Sequence, residues 1–137
     1  VVSSVNGKPL IPQHIISLVP LDNADEAHYI AALVNSVPFQ FAAYAYSQAG
    51  GKSFGTPQIL ENIRIPMFNT KDPNHIALSQ LSQHAHELAP RAYNGDEDAQ
   101  AKMYRVEEEI DRAAAQLWGL SDEELAEIKR SLEELRE

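Results

Sequence analysis

The run His14-Ile15-Ile16-Ser17-Leu18-Val19-Pro20-Leu21-Asp22-Asn23-Ala24-Asp25-Glu26-Ala27 sets the expectation for the fold. Its first half is apolar and β-branched, and Pro20 closes it, which predicts a strand over 14–19. In its second half Asp22 or Asn23 can accept the first free amides of a helix. Glu26 stands in the first turn, where negative charge complements the helix dipole. Ala27, Ile30, Ala31, Leu33 and Val34 then recur at spacings of three and four, the period of one helical face. Asn35-Ser36 ends that helix and Pro38 starts a second. There Phe39, Phe41, Ala42, Ala45 and Tyr46 place apolar and aromatic groups on more than one side. Such a helix is either well buried or partly at a binding surface.

Outward from this run, Asn6-Gly7-Lys8-Pro9 reads as a turn. Towards the C-terminus, Ala49 to Gly55 is a glycine-rich loop. Thr56 caps a short helix with Pro57 at its first position, and that turn feeds a second strand, Ile63-Arg64-Ile65, ended by Pro66. After a polar loop over 69–74, a helix carries Ile76, Leu78, Leu81, Ala85 and Leu88 on its inner side and ends near Pro90. Met103, Val106, Ile110, Ala113, Leu117 and Leu120 form a heptad-like stripe, and Gly119 can end that helix in a left-handed turn. Ser121 and Glu124 form a capping box for a last helix with Leu125, Ile128, Leu132 and Leu135. The expected fold is α+β: mostly helical, with a small β-sheet that includes 14–19 and 63–65 and a C-terminal antiparallel helix pair. Residues 1–92 make the α+β part and 93–137 the helical hairpin of a single domain. The lack of an initiator Met suggests a piece of a longer chain.

With 137 residues and 44% hydrophobic residues, the chain can bury one core. It has no cysteine, which excludes disulfides and thiolate metal sites and favours a cytoplasmic origin. No apolar run approaches the roughly 18 residues of a membrane span, and the first residues do not read as a signal peptide. The net charge of −9 is uneven. Residues 1–90 hold 4 basic and 6 acidic residues, and residues 91–137 hold 7 basic and 14 acidic. From Ala27 to Leu60 there is no Asp or Glu. A surface that approaches phosphate must avoid carboxylates, and this stretch does. A buried core would also be poor in charge.

Five histidines, His14, His28, His75, His84 and His86, show no metal-binding spacing. His84 is expected on the inner side of its helix, half-buried near Leu81 and Leu88. No nucleophile elbow or phosphate-binding loop is present. The segment Gly50-Gly51-Lys52-Ser53-Phe54-Gly55-Thr56-Pro57 carries the sharpest expectation. Its glycines let backbone approach a ligand, Lys52 supplies charge, and Ser53 and Thr56 supply hydroxyls. Gln58 and Asn62 have side chains able to read an adenine edge. A plain surface loop with a capped helix is the competing reading.

The order of these segments resembles a family. It comprises the acid-capped helix Asp25 to Ser36, ending Leu33-Val34-Asn35-Ser36, and the glycine loop. Ile59-Leu60-Glu61-Asn62-Ile63-Arg64-Ile65-Pro66 follows, then the helix Leu78 to Leu88. Last come Ile110-Asp111 and Leu117-Trp118-Gly119-Leu120-Ser121-Asp122-Glu123-Glu124-Leu125. It is similar, over about residues 10–135, to the C-terminal target recognition region of adenine-N6 DNA methyltransferases of restriction–modification systems. Type I specificity subunits share a similar pattern, which leaves the type of system open. The resemblance implies recognition of double-stranded DNA, with Lys52, Ser53, Thr56, Gln58 and Arg64 as expected DNA contacts. It implies no catalytic residue, cofactor or metal in this segment. S-adenosylmethionine would be bound by a catalytic methyltransferase domain of the same chain, against which the acidic C-terminal helices could dock. A second reading makes those helices a docking or homodimerisation module.

Overall fold

The computed structural model describes residues 4–5, 7–9, 19–50 and 62–135, with side chains left undescribed at 4–5, 9 and 47–50. Five helices dominate the described residues: α1 (Ala24–Asn35), α2 (Val37–Gly50), α3 (Pro73–Tyr93), α4 (Glu97–Leu117) and α5 (Asp122–Glu134). Extended pairing among them is confined to a small antiparallel hairpin, β1 (Ser4–Val5) with β2 (Lys8–Pro9), around Gly7 at φ 73°. The expected α+β fold is therefore corrected to an all-helical one. Most of the strand expected over 14–19 lies outside the described residues, and its last residue, Val19, is irregular and exposed.

Ile63-Arg64-Ile65 is not a strand, and its backbone acceptors show why. The Arg64 carbonyl accepts the indole N–H of Trp118 at 3.1 Å, and the neighbouring Pro66 carbonyl accepts the Tyr29 hydroxyl at 3.1 Å. Side chains of helices take the places a strand partner would fill. The alternation itself holds, since Ile63 is buried and Arg64 exposed, but its apolar side rests on helices. Residues 62–68 thus form a strap laid across α1, α2 and the end of α4.

The helix boundaries follow the chemistry of their ends. Asn23, not Asp22, caps α1, accepting the Asp25 amide at 2.9 Å. Asp72 caps α3 by accepting the Asn74 amide at 2.9 Å, with Pro73 at the first position. Helix α3 passes Pro90 and runs one turn further than expected. Pro90 stands in the last turn, where its missing N–H costs least. Both following turns are Schellman motifs. Gly95 (φ 88°) donates to the Ala92 carbonyl and Asp96 to that of Arg91, at 3.1 Å each. Gly119 (φ 71°) donates to Gln116 and Leu120 to Ala115, at 3.1 and 2.9 Å. Asp96 also caps α4 through the Ala99 amide and holds Arg91 at 2.6 Å, which closes the α3–α4 hairpin. The Ser121–Glu124 capping box is complete.

Helix α3 is central, packed most extensively on α4 and α1, while α5 lies across α2 and α4. The main core joins Tyr29, Ala32 and Leu33 to Leu78 and Leu88 and to Val106, Ile110 and Ala114. A second core holds Phe39, Ala43 and Ile63. Small residues at Ala32, Ala99 and Ala114 let helices approach closely. The buried stripe of α1 is Tyr29, Ala32, Leu33 and Ser36, rotated from the expected apolar set. In α3 it includes His75, Ser79 and Ser82. His75 stacks on Tyr29 at 4.6 Å and accepts the Asn69 amide at 3.0 Å, whereas His84, expected inside, is exposed. No helix among the described residues is long and apolar enough to cross a membrane.

Candidate functional site

The junction of α1 and α2 is the first place where polar chemistry concentrates. Asn35 donates to the Ala31 carbonyl at 2.8 Å, and the buried Ser36 hydroxyl donates to Leu33 at 2.7 Å. The amide of Val37 donates to Asp111 Oδ1 at 2.8 Å. A carboxylate from α4 therefore sits at the start of α2, where free amides and the dipole favour it. Lys129 of α5 reaches Asp111 Oδ2 at 3.1 Å and Glu108 Oε1 at 2.6 Å. Burial alone would lower the Lys129 ammonium, but its hydrogen bonds to Glu108 and Asp111 prevail and hold it above the ordinary lysine range. Asn35-Ser36 is thus a helix ending that Asp111 and Lys129 staple to α4 and α5.

Around this staple lies a cleft of about 540 Å³ between α1–α2, α3, α4 and α5. Glu107, Glu108, Asp111 and Glu133 stand in its wall against one cation, Lys129. Burial, then the nearby Asp111, pushes the Glu107 carboxyl up. This cleft repels phosphate.

The second cleft, about 330 Å³, has the opposite character. Phe41 and Tyr46 of α2, Trp118 and Leu120 of the α4–α5 turn, and Asn62 and Arg64 of the strap line it. No carboxylate contributes among its described residues, and Arg64 is its one charged group. Tyr46 is 46% exposed, and Trp118 is half-buried with its N–H spent on the Arg64 carbonyl. That bond fixes the indole and the Arg64 backbone relative to one another. The cations Arg91, Lys102, Arg112, Lys129 and Arg130 of the C-terminal third all pair with carboxylates. Arg64 has no ion-pair partner among the described residues.

Of the expected DNA contacts, Arg64 falls on this second cleft, exposed. Lys52, Ser53, Thr56 and Gln58 lie outside the described residues. The aromatic wall was partly foreseen, because α2 reads as aromatic on more than one side. Trp118 was missed: its sequence neighbours mark only a helix ending, and nothing local signals the strap it meets.

The histidines serve packing. His28 Nδ1 lies 3.1 Å from Ser82 Oγ, His86 Nδ1 lies 2.8 Å from the Ser82 carbonyl, and the two rings meet edge to face at 4.9 Å. Burial, then His86, lowers His28 from its ordinary value. No group of three or more metal-ligating side chains converges among the described residues. The α4 stripe expected for homodimerisation is spent internally, with Val106, Ile110 and Ala114 in the main core. A search of family models, of curated proteins and of solved structures finds no match to this chain.

Proposed function

We propose that this chain is the DNA sequence-recognition segment of an adenine-N6 DNA methyltransferase of a restriction–modification system. Double-stranded DNA meets it on the side of the aromatic cleft. The observation that carries the reading is Arg64: exposed, without an ion-pair partner among the described residues, and set in a lining with no described carboxylate. In a chain of net charge −9, such a place suits an approaching phosphate or base edge. Arg64 also follows closely the glycine-rich run Gly50 to Pro57, whose Lys52, Ser53 and Thr56, with Gln58 just beyond, supply donors of the kind that DNA contacts use. The order of motifs over about residues 10–135 supplies the family.

In this reading methyl transfer and S-adenosylmethionine belong to a catalytic domain of the same chain. The carboxylate-walled cleft and the acidic outer faces of α4 and α5 turn away from DNA. The test is salt-dependent binding to duplex DNA carrying the target site, with Arg64→Ala and Lys52→Ala. Each variant weakens binding and flattens the salt dependence by about one phosphate contact. Unchanged binding and slope in both variants would remove the assignment.

A further inference from the structure

We propose that the aromatic cleft takes one unstacked base, with the adjoining phosphate on Arg64. The inference rests on the reading above and goes beyond it by naming the part of the nucleic acid that enters. A surface meant only for the duplex backbone needs cations, hydroxyls and amides. This cleft offers instead a recess of about 330 Å³ walled by Phe41, Tyr46 and Trp118. That volume falls in the range of small-molecule pockets, and the wall has the chemistry on which bases stack. The Trp118 N–H is already bound to the Arg64 carbonyl at 3.1 Å, so the indole offers its ring surface rather than a donor. The same bond keeps the cation at a fixed offset from the ring. A flat apolar body with an anion beside it fits both features, and the described lining holds no carboxylate to repel the anion.

The chain contains one tryptophan, so Trp118 emission reports on this cleft alone. The intact 137-residue chain is titrated with a short duplex bearing one unpaired adenine, with the same duplex fully paired, and with a peptide placing a leucine beside a glutamate. The expected result is quenching of Trp118 by the duplex with the unpaired adenine and its tighter binding relative to the paired duplex. Tyr46→Ala, at an exposed position, weakens that binding about five- to a hundredfold, the worth of one base–aromatic stack. Arg64→Ala lowers its salt dependence. If both duplexes bind equally and Trp118 emission is unmoved, the inference is overturned while DNA recognition stands. If neither duplex binds, both fall. Quenching by the peptide and by neither duplex also overturns it, and makes the cleft a protein-docking site.

Discussion

The two clefts draw on the same helices, α2 and α5 among them, yet have opposite chemistry. One presses carboxylates inward and satisfies them: Asp111 takes an amide of α2 and the ammonium of Lys129, which Glu108 shares. The other presents aromatic rings and one guanidinium to solvent. The difference teaches that a conspicuous cluster of charge in this chain is structural, whereas the quieter cleft keeps surface unspent. Substitutions can separate the two. Those in the first should damage the fold, and those at the mouth of the second should leave it intact.

The largest expected effect is at Asp111. Asp111→Ala leaves the α2 amide without its acceptor and Lys129 short of a partner. It should destabilise the chain by about 2–3 kcal/mol in chemical denaturation, towards the lower end for a broken buried pair because Lys129 keeps Glu108. Lys129→Met should cost less than Asp111→Ala, since its stem volume is kept. A loss under about 0.5 kcal/mol for Asp111→Ala would show that the first cleft is not a structural staple.

Next comes Tyr29→Phe, which keeps the ring stacked on His75 and removes only the hydroxyl bound to Pro66. Burial, then Asp72, pushes that hydroxyl up to about 12, so it remains a donor at neutral pH. About 1 kcal/mol of stability should go, with added mobility of the strap that carries Arg64. Hydrogen exchange over residues 62–68 would register it. If protection there is unchanged, Tyr29 does not hold the strap.

The third effect depends on pH. His28 is neutral in the fold, with its value lowered by burial and by His86. The unfolded state therefore takes up a proton first as pH falls, and stability present above about pH 6.5 declines below it. His28→Gln should flatten the decline between about pH 7 and pH 5, where the carboxylates still contribute little. An identical profile for both proteins would show that the α1–α3 contact does not titrate. The smallest stability change is expected for Arg64→Ala, within about 0.5 kcal/mol of the parent. It should nonetheless weaken DNA binding, the pattern that marks the second cleft as unspent surface.

How far the sequence could be read follows the same division. Helix ends were legible because their signals are local. Asn23 as one of two possible caps, Pro38 at the start of α2, the left-handed Gly119 and the Ser121–Glu124 box each depend on neighbours within a few residues. The inner faces of α1 and α3 were less so. Their buried stripes contain Tyr29, Ser36, His75, Ser79 and Ser82, which an apolar count passes over and which are buried because each finds a partner across the fold. The strap was misread as a strand because Ile63-Arg64-Ile65 alternates correctly, while its partners, Trp118 and Tyr29, lie far away in sequence. Arg64 could be nominated from chemistry alone. Its setting among Phe41, Tyr46 and Trp118 could not, because α2, the strap and the α4–α5 turn meet only in the folded chain.

The central claim is that nucleic acid meets the carboxylate-free cleft and not the carboxylate-walled one. Hydrogen exchange of the chain with and without target duplex, resolved to individual peptides, tests it most directly. Slowed exchange across residues 41–46 and 62–66, with 104–111 and 127–133 unaffected, is the predicted pattern. Slowed exchange confined to α4 and α5, or none anywhere at saturating DNA, would contradict it.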